Sequence, residues 1–82
     1  SLLHMGVPQP IRVAVVEDDA GTRAHIAQSL ADDPELSLAG EYGTAGAALT
    51  GIAAKPPDVL LVDLGLPDMP GLDLIRVVAR QY

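Results

Sequence analysis

Three short apolar runs, "IRVAVV", "LSLAGEY" and "VLLV", constrain this chain more than any other feature, because each is followed by a segment of helical rather than alternating period. Runs of β-branched and aliphatic residues that short read as strands, and strands regularly separated by helices close into a parallel sheet with right-handed crossovers. The first run, Ile11 to Val16, and the third, Val59 to Val62, are apolar on both faces and are expected near the middle of such a sheet. The second, Leu36 to Tyr42, is less apolar and contains Gly40, which suits an edge. The expected order is therefore 2-1-3 within a β-α-β-α-β-α chain.

The helices announce themselves by their ends. Asp19 is a good N-cap for a helix carrying Ile26, Ala27 and Leu30, and Pro34 stops it near Asp32 or Asp33. Thr44 caps a second helix whose apolar positions Ala45, Ala48, Leu49, Ile52 and Ala53 follow the spacing of one buried stripe. Gly46 and Gly51 each cost that helix about 1 kcal/mol relative to alanine, so it must depend on packing. A third begins near Gly71, with Asp73 in its first turn and Leu74, Ile75, Val78 and Tyr82 along one face. The segment 1–10, "SLLHMGVPQP", has two prolines and no period, and is read as a disordered leader.

Several function classes are excluded at this level. A net charge of −6 opposes a grip on nucleic-acid phosphates. With two tyrosines and neither Phe nor Trp, the chain also lacks stacking platforms for bases. Without cysteine it has no disulfide or thiolate metal site. Its apolar runs are too short to cross a membrane, and a cytoplasmic domain is expected.

Carboxylates occupy the places where the two most apolar strands stop. Ligands of open parallel sheets gather beyond the carboxyl ends of the strands, at the point where strand order reverses. Neighbouring strands lie about 4.8 Å apart, so Glu17 and Asp18 after the first run should share a pocket with Asp63 after the third. Like charges so crowded raise one another's pKa unless a cation sits among them. Hard divalent cations prefer oxygen, and Mg²⁺ takes one or two carboxylates together with phosphate oxygens. The trio thus reads as a Mg²⁺ site that sets a phosphoryl group against a carboxylate. Asp63, standing alone after its strand, is the candidate nucleophile for an acyl phosphate, and Glu17 with Asp18 is the metal-binding pair. Taken singly, without the acid pair, Asp63 is better explained as a turn or cap aspartate before "LPDMPG". Asp19 is assigned to capping, Asp68 and Asp73 to the loop and the helix start, and Arg23 to the surface.

"VAVVEDDAGTR", "LAGEYGTAGAAL" and "PDVLLVDLGLPDMPGLDLI" together resemble the receiver domain of two-component response regulators, over Ile11 to Tyr82. The middle phrase is similar to the LuxR/NarL-type branch, whose members carry a helix-turn-helix DNA-binding domain. The resemblance implies a flavodoxin-like fold and a phosphorelay acceptor rather than an enzyme. It implies that Asp63 takes a phosphoryl group from a sensor histidine kinase, that Glu17, Asp18 and Asp63 hold Mg²⁺, and that the Gly65 backbone carbonyl completes the ligands. Receivers have five strands, with a Ser or Thr and a Lys contributed by the second half; after Asp63 this chain has none of these, so residues 11–82 read as the N-terminal part of a receiver. A third strand lacking its outer neighbour is expected to pair with another copy of the chain. Two other readings stay open: a non-phosphorylated pseudo-receiver that serves as an interaction module, and an aspartyl-nucleophile phosphohydrolase, disfavoured by Gly65 where such enzymes place a second aspartate.

Overall fold

The computed structural model describes residues 9–82, and most of the expected leader, residues 1–8, lies outside the described residues. Strands β1 (Ile11–Val16), β2 (Leu36–Tyr42) and β3 (Val59–Val62) alternate with helices α1 (Ala20–Asp32), α2 (Ala45–Ala54) and α3 (Gly71–Gln81). The sheet is parallel throughout and ordered β2-β1-β3, as the apolar patterning of the runs predicts. Among the described residues no helix is long and apolar enough to cross a membrane.

Every side chain from Val13 to Val16 is buried, because β1 is flanked on both edges and covered on both faces. Val13 and Val15 pack under α1 against Leu30, joined by Ile26, Leu36 and Leu38. On the opposite face Val16 meets Ala45, Ala48 and Ile52 of α2 and Leu74 of α3. Small alanines at 45 and 48 let α2 approach the sheet closely, which leaves Ile52 as its one large anchor.

A bulge lets β2 serve both layers. Val13 pairs with Leu38 but Ala14 pairs with Gly40, so Ala39 is an extra residue in the ladder. Side chains alternate with a strict period of two, and one inserted residue exchanges the faces beyond it. Leu36 and Leu38 therefore point to α1, whereas Tyr42 packs with the α2 cluster. The Tyr42 ring lies where side chains on Gly40 and Gly51 would otherwise stand. Those glycines, unfavourable for strand and helix alike, make room for Tyr42, the tyrosine that packs against the core.

Helix ends match their sequence signals. The Asp19 carboxylate accepts the Thr22 backbone N–H at 2.8 Å, and the Thr44 hydroxyl accepts that of Ala47 at 3.1 Å. At the other pole of the sheet the Asp58 N–H donates to the Arg12 carbonyl at 2.8 Å, while the Arg12 N–H donates to Asp58 Oδ2 at 2.9 Å. The Arg12 guanidinium also donates to the Pro56 carbonyl, fixing where β3 begins.

Two helix faces are narrower than the apolar spacing predicts. In α2 Ala53 is exposed, and in α3 Leu74 is fully buried while Ile75 is 41% and Tyr82 58% exposed. Residues four apart share a face and residues adjacent in sequence do not, so Leu74 and Val78 meet the sheet while Ile75 turns toward a side that no described element covers. The same is true of β3, whose Val59 and Leu61 are 43% and 42% exposed on the α1 face.

Gly71 is buried where α3 starts, and its N–H donates to the Leu64 carbonyl at 2.9 Å. A β-carbon there would collide with the backbone of Asp63 and Leu64. Gly71→Ala should therefore lower stability by about 1–3 kcal/mol, the usual cost of forced overpacking, read as a lower urea midpoint at unchanged slope.

Candidate functional site

Sheet hydrogen bonds run one residue past the strands and place the acids. The Asp63 N–H donates to the Val16 carbonyl at 2.8 Å, and the Glu17 N–H donates to the Tyr42 carbonyl at 2.9 Å. With Val16 opposite Val62 in the parallel register, Glu17 and Asp63 leave adjacent strands at the same level. Glu17, Asp18 and Asp63 each bring a carboxylate oxygen to one point, all within 4.8 Å of one another. The cleft beside them has a volume of 280 Å³ and is walled by Val15, Ile26 and Leu61. A groove of similar size between β3 and α3, near Ile52 and Val78, is mostly apolar; its one acid, Asp58, is already held by Arg12.

The electrostatics of the trio are uneven. Asp63 Oδ1 accepts the Gly65 N–H at 3.0 Å. That bond, followed by hydrogen bonding from the Glu17 and Asp18 carboxyls, holds Asp63 below its ordinary 3.8. Glu17 moves the other way, raised above 4.5 by the hydrogen bond it shares with Asp63, then by burial and by repulsion from Asp63, Asp18 and Asp19. The acid leaving the third strand is thus kept ionised, and the one leaving the first holds the proton longest. Three oxygen donors that share excess negative charge suit a small hard cation, since direct and water-bridged ligation span such separations. Gly65 sits against Asp63 through its N–H, and its carbonyl oxygen is the backbone lone-pair group of that residue that could face a cation.

The loop from Asp63 to Pro70 is anchored at three points. Leu66 is buried in the α2/α3 core, Gly71 closes the loop onto Leu64, and Asp68 reaches across to α2. Asp68 Oδ1 accepts the Ala45 N–H at 2.9 Å and Oδ2 accepts the Gly46 N–H at 2.8 Å. These two donors, Gly46 first, hold Asp68 below its ordinary value. Asp68, assigned from sequence to the loop, thus also serves the start of α2. Asp73 stays in the first turn of α3 and pairs with Arg76 at 3.1 Å on the surface. Arg23, expected to be a solvated cation, is half-buried and donates from Nη1 to the Glu17 carbonyl at 2.7 Å. Leu66 had a signal in its apolar character within a polar loop; the Arg23 and Asp68 contacts had none, since both are set by tertiary placement.

The response regulator receiver domain model matches residues 13–82. The chain is 37% identical over 76 residues to a protein-glutamate methylesterase/protein-glutamine glutaminase of Syntrophotalea carbinolica, a match that covers 93% of the chain and 22% of that protein. A Pyrococcus abyssi protein of the same description is 38% identical over 72 residues, covering 88% of the chain and 20% of that protein. The chain thus spans about a fifth of the length of these curated relatives. Its fold superimposes on the response regulator domain of Thermotoga maritima CheB with a TM-score of 0.84 at 23% identity, covering 90% of this chain and 55% of that one. The LuxR/NarL branch gains no support from these relatives. The phrase that suggested it builds the β2 bulge, the Thr44 cap and α2, which are matters of packing and do not specify what a receiver controls. With the matching domain model, the 2-1-3 parallel sheet and the acids at its switch point, the chain belongs to the response regulator receiver domain family.

Proposed function

We propose that Asp63 is the phosphoacceptor of this receiver and takes its phosphoryl group from a phosphohistidine on a sensor histidine kinase. The observation that carries the reading is the meeting of Glu17, Asp18 and Asp63 within 4.8 Å at the carboxyl edge of the sheet. In the transfer an Asp63 carboxylate oxygen forms a bond to phosphorus while the bond from phosphorus to the imidazole nitrogen breaks and its electron pair returns to the ring. Because Oδ1 is engaged by the Gly65 N–H, Oδ2 is the oxygen free of that bond and is assigned the attack. The depressed pKa of Asp63 keeps this nucleophile ionised near neutrality. Glu17, Asp18, Asp63 and the Gly65 carbonyl would hold Mg²⁺, which supplies charge neutralisation for the phosphoryl oxygens when bound.

The controlled activity is assigned to a methylesterase acting on protein glutamate esters, in a cytoplasmic protein of which this chain is one part. Support comes from the relatives at 37% and 38% identity, whose descriptions name that activity. This replaces the DNA-binding output that the LuxR/NarL resemblance implies. A phosphohydrolase would need an acid/base at position 65, where the structure has a glycine whose amide is spent on the nucleophile. A pseudo-receiver is separated from a working one by the binding tests below.

With an acyl phosphate as donor and Mg²⁺ present, the intact protein should gain one phosphoryl group by mass, and Asp63→Asn should gain none; equal labelling of the variant would refute the assignment. Mg²⁺ should raise Tm at about pH 7, where the three carboxylates repel, and the increment should disappear toward about pH 4. The sign follows from Glu17: with its folded pKa above 4.5, its contribution to stability is complete below that value and is lost as pH rises through the raised value, until a cation restores it. Glu17→Gln should lose most of the Mg²⁺ increment at about pH 7. The isolated 82-residue chain should self-associate through the outer edge of β3, where Val59 and Leu61 are exposed. A monomer in sedimentation velocity at micromolar concentration would count against that.

A further inference from the structure

We propose that Arg23 is a positioning residue for the acid pair, fixing the peptide between Glu17 and Asp18 so that both carboxylates face Asp63; this rests on the reading of the trio as a cation-assisted phosphoacceptor site. Both backbone groups of Glu17 are engaged from different directions. Its N–H is taken by the Tyr42 carbonyl at 2.9 Å and its carbonyl by Arg23 Nη1 at 2.7 Å. A peptide unit whose carbonyl is hydrogen-bonded turns less readily about the flanking dihedrals, and because it is planar its orientation helps set where the side chains on either side of it point. Arg23 itself is held by helix α1, its own N–H donating to the Asp19 carbonyl at 2.9 Å. The guanidinium thus connects the first turn of α1 to the residue that leaves β1.

Gly43 completes the arrangement. A β-carbon on Gly43 would lie 3.2 Å from Arg23 Nη1, so the guanidinium runs close over the turn between β2 and α2 and a side chain there would press it aside by a few tenths of an ångström. Arg23 is therefore wedged between the loops that follow β1 and β2, while Asp63 enters from β3. Its hydrogen bond to the trio goes to the Glu17 backbone carbonyl and to no carboxylate, which distinguishes it from the three acids. Residues that orient metal ligands in this indirect way commonly change metal affinity by about 10–100-fold when removed.

The test uses the intact protein, titrated with MgCl₂ and followed by calorimetry, with phosphorylation by an acyl phosphate measured across the same titration. Arg23→Met, which keeps the apolar stem and removes the donors, should raise the half-saturating Mg²⁺ concentration about tenfold, with metal-free Tm little changed. Hydrogen exchange at the Asp18 and Asp19 amides in metal-free protein should accelerate. Arg23→Lys, retaining one donor, should recover part of the affinity. Gly43→Ala should weaken Mg²⁺ binding when Arg23 is present and have no further effect beside Arg23→Met. Unchanged Mg²⁺ half-saturation in Arg23→Met, or a fall in Tm with unchanged half-saturation, overturns the positioning role while leaving the phosphoacceptor reading intact. Wild-type protein that neither binds Mg²⁺ nor accepts a phosphoryl group overturns that underlying reading.

Discussion

The parallel pairing of β1 with β3 is the constraint on which the rest of the molecule depends. Once Val16 stands opposite Val62 and the Asp63 N–H bonds to the Val16 carbonyl, the acids that follow the two strands have no freedom to be apart. Burial of Val13 to Val16 on both faces secures that register, because a slip of one residue would turn each valine toward the wrong layer. The core and the site are therefore specified by the same hydrogen-bond ladder. A chain with two tyrosines and no larger aromatic can do this because its central strand needs only β-branched and small side chains to fill both layers.

Around this ladder the structure gathers charge that works against folding. Glu17, raised above its ordinary value, marks a place where the folded protein would sooner hold a proton than another negative charge. Asp63 is kept ionised by a backbone amide instead of a cationic side chain, which leaves the site's demand for positive charge unmet by the described residues. The neighbouring loop is correspondingly stiff, with Leu66 in the core, Asp68 bonded to two amides of α2, and Gly71 packed against the Asp63 backbone. Rigid surroundings are what a site needs if its nucleophile is to be positioned before its substrate arrives.

Much of this was legible in the amino-acid order. The strand order followed from which runs were apolar on both faces, the helix starts from Asp19 and Thr44, and the meeting of Glu17, Asp18 and Asp63 from the spacing of strands in a parallel sheet. What escaped depended on contacts between residues far apart or on the absence of a neighbour. Arg23 looked like a surface cation because nothing local showed that the turn after β1 would present a carbonyl to it. Asp68 looked like a residue of its own loop, 23 residues from the Ala45 amide that donates to it. Ile75 looked buried because its apolar character says nothing about which side of α3 is covered. The branch of the family rested on a phrase whose residues answer to packing of Tyr42 and α2, and it gains no support from the relatives.

The extra residue at Ala39 gives the second strand an odd parity: its first half belongs to one side of the sheet and its second half to the other. Removing that single residue would join Leu38 to Gly40, which already stand opposite the consecutive residues Val13 and Ala14, and would leave Tyr42 opposite Val16 with its ring still against Gly40 and Gly51. The one alanine with no partner in the ladder is therefore the residue of this strand whose loss the pairing absorbs most directly, while the pairs on either side of it hold the two faces in place.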